Sequence, residues 1–438
     1  MRGYASSGAR EKRCLWNPAS VSRIVSETEV DPSSRKWLLI GLLLVALAAV
    51  ARLGITAYEY RKFQAAGANA ERKRQAAAAE AAEARFRPTE AARQLLDRTD
   101  AVAPRLDGEY PCVFASLEDS KPRPQLGKCA LPTEHSGPVD HLEADLRYGN
   151  FVVRQSDLYL KDVFDVPLTR SYNSGDYLHS NPAHAFGKFT NHPFDWSLAG
   201  TRNPYTHMFS VLEDGDFLYF DRVSQGTSYA DAVYQHTETS TTFYKAVIAW
   251  NGDGWTLSRT DGSVILFPEA YGATNTAQGA PYATRDANGN TLKLIRDAKR
   301  NLQEIRTPHD HTIKFKYDDQ SRIVRAEDDQ GHFAEYRYDS NAMLTDATLS
   351  SGHARHYSYD GDLMITIEDE NQNVLVRNSY DHRWLVQQDF GRGEIYSYNY
   401  AGSDGPYATS ATVTLPDGTR TTVEVASSVP EARKHPPR

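Results

Sequence analysis

Ile313-Lys314-Phe315-Lys316-Tyr317-Asp318 is the stretch whose reading decides the fold. Its apolar residues alternate with lysines, the period-two pattern of a strand with one buried and one wet face. The closing Tyr317-Asp318 returns as Tyr338-Asp339, Tyr359-Asp360 and Tyr380-Asp381, each 21 positions further on. Arg296-Asp297 keeps the phase one period earlier, with its aromatic lost. A fixed period of this size marks a repeat architecture, in which each unit buries its apolar face against its neighbours.

More positions share the period. Phe315, Tyr336 and Tyr357 stand two places before the pair, and Tyr336-Arg337-Tyr338 and Tyr357-Ser358-Tyr359 repeat the alternation. Leu302, Ile323, Leu344, Ile365 and Val386 form an aliphatic series, and Gly289, Asp310, Gly331, Gly352 and Asn373 a turn series. Gly, Asn and Asp tolerate positive φ, so each unit reads as strand, turn at the aspartate, strand, turn at the glycine. Five such units predict about ten antiparallel strands. The stacked tyrosines fit a cross-strand core ladder better than a glycan platform, since aromaticity alone favours the latter. The aspartates fit turn capping better than calcium binding, because no second carboxylate recurs at ligand spacing.

With these motifs in hand, the chain resembles the Rhs (rearrangement hot spot) or YD-repeat family, also represented in teneurins. Upstream, Asp157-Leu158 through Pro167-Leu168-Thr169-Arg170-Ser171-Tyr172-Asn173-Ser174 is similar to the segment that opens the shell of bacterial members. Phe186-Gly187 with Trp196-Ser197-Leu198, then Trp255-Thr256-Leu257 with Asp261-Gly262-Ser263 and Phe267, resemble the family's next motifs. Asp286-Ala287-Asn288-Gly289-Asn290 resembles its repeat-opening turn. The resemblance covers residues 150–400 and implies a mainly β fold of hairpin repeats in a curled or spiralling antiparallel sheet. In large members such a sheet closes around a toxic C-terminal domain. The repeats here are too few for a large cocoon, no Asp-Pro-x-Gly-Leu boundary motif follows them, and 38 residues follow Tyr400. The family's toxin activity is therefore not carried over.

Residues 37–58 are apolar or glycine apart from Arg52 and Thr56, and their 22 positions suffice for a hydrocarbon core of about 30 Å. A transmembrane helix and a cleaved signal peptide both fit; the 36 residues ahead of the apolar run favour the uncleaved anchor. The expected order is a cytoplasmic tail (1–36), the span (37–58), a helical stalk (59–99) and a Pro-rich linker (100–141). There follow an Rhs-like N-terminal β domain (142–283), repeats (284–400), a capping hairpin (401–426) and a disordered tail (427–438). Basic residues flank the span on both sides, so charge leaves the orientation open. Cys112 and Cys129 flank the Pro-rich loop and are expected to form a disulfide, which implies an oxidising compartment; the alternative is two free thiols in a cytoplasmic loop.

The formal charge of −8 gives no electrostatic footprint for nucleic acid. No Ser nucleophile elbow or phosphate-cradling Gly loop is present. His309-Asp310-His311 falls on a repeat turn and Asp214-Gly215-Asp216 reads as a hairpin tip; neither has the spacing of a metal site. Asn191-His192-Pro193 resembles a nuclease fragment without its companion residues. No catalytic residue, cofactor or metal is expected. The sequence thus points to a non-catalytic scaffold outside the cytoplasm, in the periplasm or at the cell surface. It is anchored through residues 37–58 and binds an envelope protein or a glycan. The alternative is a truncated shell, or a companion to a separately encoded toxin of a polymorphic-toxin system.

Overall fold

The computed structural model describes residues 32–97, 109–116, 124–130, 141–176, 185–202, 205–212, 215, 217–237, 242–402 and 408–425. They divide into two units, residues 1–80 and 81–438. In the first, the described part belongs to the helix Pro32–Ala84. Its apolar side chains from Ile40 to Leu47 are 46–68% exposed, unlike any core residue of this chain. Among the described residues no helix is long and apolar enough to cross a membrane. The expected span is helical throughout, but its side chains at 37–39 and 49–58 lie outside those residues.

The second unit is mainly β. Twenty-one strands, from Ser197–Gly200 to Arg420–Glu424, form one antiparallel sheet in which each strand pairs with the next in the chain. No ladder joins its first strand to its last among the described residues, so the sheet is open. A second sheet has six strands in the order Gln125–Ala130, Glu109–Ser116, His141–Asp145, Asn150–Leu160, Val166–Asn173, Thr190–Asn191. Its first two members fall in the segment whose proline and charge read as linker. Their backbone groups find partners on His141–Asp145 and on each other.

The repeat segment forms hairpins from Thr291–Arg296 to Ile395–Ala401. Each hairpin has a bulge at the repeated position: Arg296, Tyr317, Tyr338, Tyr359 and Tyr380 each lie beside a register shift. The extra residue sits on the partner strand, as Val324 does between Ile323 and Arg325. The turn series holds at Gly289, Asp310, Gly331 and Gly352, all with φ between 66° and 92°.

From the fourth unit on, the phase slips by one. Asp360 pairs with Leu363 and Asp381 with Trp384 across two-residue turns, where earlier units use longer ones. Met364 and Leu385, not Ile365 and Val386, therefore take the buried aliphatic place, while Ile365 and Val386 are the half-buried bulge residues. The left-handed turn residue is likewise Gln372 at φ 64°, not Asn373.

The aspartates divide accordingly. Oδ1 of Asp297, Asp318 and Asp339 accepts from the N–H groups two and four residues on, at 2.8–3.0 Å. Asp360 and Asp381 sit in the shorter turns, and Asp381 instead meets His382 Nδ1 at 2.7 Å.

Residues 83–96 dock on the outer side of the early strands. Thr89 caps the helix Glu90–Leu96 by accepting from the Ala92 N–H, and Ala92 packs with Val233, Val247 and Ala249. Arg285 bridges Glu83 at 2.6 Å and lies 3.7 Å over the Phe86 ring.

Candidate functional site: the filled interior of the repeat sheet

The inner face of the repeats is packed against the six-stranded sheet. One core cluster holds Leu142, Phe151, Val153, Leu168 and Tyr172 from that sheet together with Ile313, Phe315, Tyr336, Tyr357, Leu385 and Val413 from the long one. Asn150–Leu160 and Val166–Asn173 are buried at nearly every position, which requires both faces to be covered.

These two strands bury polar groups as well, and a β-bulge explains how. The register jumps from Ser156 opposite Thr169 to Leu158 opposite Leu168, leaving Asp157 as the extra residue, and a bulge re-aims its side chain. Asp157 meets Arg170 in a two-point contact of 2.5 and 2.9 Å, with side chains 0% and 4% exposed. The Tyr336 hydroxyl donates to Asp157 at 2.7 Å. The Tyr357 hydroxyl donates to Gln155 Oε1 at 2.6 Å, and Arg170 donates to the same Gln155 oxygen at 3.0 Å and to the Tyr357 hydroxyl at 3.2 Å. A buried ion pair persists only when its remaining donors and acceptors are satisfied, and here the repeat tyrosines satisfy them. Burial pushes both phenols up, and the Asp157 charge pushes Tyr336 further. Arg170 is held well above its ordinary value because Asp157 and the two tyrosines outweigh its desolvation.

The repeated tyrosines have a separate role. The hydroxyls of Tyr317, Tyr338, Tyr359, Tyr380 and Tyr400 donate to the carbonyls of Leu302, Ile323, Leu344, Met364 and Leu385 at 2.5–2.9 Å. Those acceptors are the buried residues beside each bulge. The N–H on the same residue is taken by the inner segment in three units. Ile323 donates to the Ala185 carbonyl at 2.7 Å, Met364 to the Tyr172 hydroxyl at 3.1 Å and Leu385 to the Gly149 carbonyl at 2.8 Å. In these three units the bulge thus frees one donor, and the inner segment answers it. Gly187 is at φ 90° there, and a Cβ on it would stand 2.4 Å from the Ala342 carbonyl.

Other candidates from the sequence are placed apart. His192 is fully buried between Phe186, Phe194 and Phe315, with Phe194 donating its N–H to Nδ1. It is a core histidine. His309 and His311 diverge, to Asp162 at 2.5 Å and Asp329 at 2.8 Å. Among the described residues no three His, Cys, Asp or Glu side chains gather at metal distance. Asp214 and Asp216 lie outside the described residues, as do the side chains of Cys112 and Cys129. Backbone register sets Cys112 opposite Gly127 and Cys129 opposite Tyr110, so the two cysteines are diagonal neighbours on one face. A cavity of about 450 Å³ opens beside the tip of the Asp157–Arg170 hairpin, lined by Tyr159, Phe164, Trp196 and Leu294, with Arg259 at its wall. That arginine is held by Ser263 at 2.6 Å.

Neither the Asp157–Arg170 hub nor the tyrosine staples was assigned by the sequence reading, although the residues themselves stood in the quoted motifs. The signal was the polar run Arg154-Gln155-Ser156-Asp157 inside an otherwise apolar strand.

Fold and interior together define a β-repeat protein whose long sheet packs on its own N-terminal sheet. Residues 144–220 match the family described as "Domain of unknown function (DUF6531)", a stretch that contains the Asp157–Arg170 hairpin and the first strands of the long sheet. No curated protein matches the chain. Among solved structures it is similar to the TcdB2-TccC3 crystal structure, at 13% identity and a TM-score of 0.27 over 66% of this chain and 20% of that one. The TcdB2-TccC3-Cdc42 structure aligns at 14% identity and a TM-score of 0.27, over the same shares. The chain spans about one fifth of the length of these two structures.

Proposed function

We propose that this chain is a membrane-tethered, non-catalytic Rhs-like β-scaffold that works outside the cytoplasm by binding envelope protein or glycan through its outer surface. The supporting observation is the interior. The six-stranded sheet covers the packed face of the repeats, where a shell would hold cargo, so the recognition surfaces left are external. The exposed apolar helix segment Ile40–Leu47 is the physical ground for the tether, and it is the part of residues 37–58 that the structure describes in full. In an oxidising compartment Cys112 and Cys129 pair as a disulfide once the two strands shift toward each other, because a diagonal of about 7–8 Å exceeds the ordinary span of a bridge.

The test is fractionation with protease accessibility. The full chain is expected in alkali-resistant membranes. Protease added to intact spheroplasts should digest the β-body, and both cysteines should resist alkylation until reduced. A soluble full-length chain, or a protected body with two freely labelled thiols, overturns the tether and its orientation. Toxicity of the expressed chain, relieved by a point substitution that leaves the fold intact, overturns the non-catalytic reading.

A further inference from the structure

The two edges of the long sheet differ. Against the first strand, Ser197–Gly200, lies the helical turn Thr276–Gly279, close enough that a Cβ on Gly279 would stand 3.3 Å from the Ser197 Cβ. The last strand, Arg420–Glu424, has a ladder only with Ser410–Thr414 and none with Ser197–Gly200 or any other strand among the described residues. An open strand of this kind is a template for another strand.

We propose that this edge pairs with the same edge of a second copy of the chain, antiparallel and centred on Thr422. Two independent features select that register. The first is backbone phase. Leu415 donates its N–H to the Thr419 carbonyl at 2.8 Å, and Val425 donates to the Thr409 carbonyl at 2.8 Å. In an antiparallel ladder hydrogen-bonded pairs alternate with non-bonded ones, so residues 419, 421, 423 and 425 bond inward. Arg420, Thr422 and Glu424 therefore aim their N–H and C=O groups at the open side. A partner centred on Thr422 matches all three, with two bonds per pair and about six in total.

The second feature is charge. That register sets Arg420 opposite Glu424 of the copy and Glu424 opposite its Arg420, with Thr422 facing Thr422. Val423 leans toward the core and the alternating exposure places Arg420, Thr422 and Glu424 together on the outer face. Neither Arg420 nor Glu424 makes an ion pair within the described residues, so both are available. Oppositely charged directly opposed pairs stabilise a sheet and like charges disfavour it. Five residues a side make a small, weak contact, so the pairing shows itself at high protein concentration.

The experiment uses the full chain in mild detergent, followed by sedimentation and by cross-linking of two differently tagged copies. The wild type should dimerise reversibly. Arg420→Glu and Glu424→Arg should each weaken self-association by about tenfold or more, because each sets like charges opposite one another. Mixing the two variants should restore dimers to near the wild-type level, since the mixed pair recovers both contacts. Thr422→Pro should abolish pairing while sparing the hairpin, because the N–H it removes points away from Ser410–Thr414. An unchanged urea midpoint shows that each variant is folded. A wild type that stays monomeric overturns the proposal. So do single variants that dimerise like the wild type, a mixture that fails to recover, or a different polypeptide occupying this edge in the purified material.

Discussion

The Tyr338 hydroxyl donates to the Ile323 carbonyl, 15 residues back in the chain, at 2.5 Å. Ile323 is the residue beside the bulge, and its N–H is taken by Ala185 of the inner segment. A single residue thus links one repeat to the next and the long sheet to its filling. Tyr338→Phe keeps the ring and deletes this bond, so it should cost about 0.5–1.5 kcal/mol. Tyr338→Ala should cost more, though less than the roughly 3–5 kcal/mol of a fully buried aromatic, because the ring is only half-buried. Urea midpoints at constant m-value report both.

Removing one partner of the Asp157–Arg170 pair leaves a charge stranded in the core. Asp157→Asn or Arg170→Met should each destabilise by about 3–5 kcal/mol. The double variant should recover a large part of that loss, because the penalty comes from the unpaired charge. A double-mutant cycle by chemical denaturation measures it; strict additivity would mean that the two side chains do not interact.

Alkali should unfold the second unit cooperatively. Burial pushes the Tyr336, Tyr338, Tyr359, Tyr380 and Tyr398 hydroxyls well above the ordinary tyrosine value. A group whose folded-state pKa is raised adds stability that is complete below its unfolded value, about 10 for tyrosine. That contribution is lost as the pH climbs from there through the folded value. Phenolate absorbance should therefore appear together with loss of β circular dichroism. Phenolate that forms first, in an intact sheet, would show these hydroxyls to be wet.

Two glycines with nearly the same φ should respond differently to alanine. Gly331, at φ 87°, has open space around it, so Gly331→Ala carries the left-handed backbone cost alone, about 1–2 kcal/mol. Gly187, at φ 90°, would add a clash with the Ala342 carbonyl and with the Tyr338 ring. Gly187→Ala should cost clearly more and loosen the inner segment. Native-state hydrogen exchange at the Ile323 amide reads that out.

The hairpins, their turns and the inward aromatic face were legible because Tyr317, Tyr338, Tyr359 and Tyr380 fall at constant spacing while the strands alternate with period two. The slip after Asp360 was also written in the chain, as Asp360-Gly361-Asp362, a two-residue hairpin signal, but counting by a fixed period hides it. The Asp157–Arg170 hub was not legible. Its ion pair depends on a bulge, and its tyrosine partners lie 179 and 202 residues away, beyond any local pattern. The strands at Glu109–Ser116 and Gln125–Ala130 were hidden for a related reason. Their short, proline-bearing sequences gain strand character from the neighbours they pair with.

The filled interior also sets an order of events in time. Neighbouring repeat strands contact each other within one hairpin, whereas the inner sheet meets them only across long stretches of chain. Local pairing is fast and long loop closure is slow. The inner strands, buried on both faces in the finished protein, leave the ribosome before a single repeat exists to cover them. A newly made chain therefore passes through an interval in which its stickiest surface is bare. Ribosome-associated chaperones, or delayed release of the N-terminal segment, are the natural remedies, and yield on expression should depend on them more than on the stability of the finished protein.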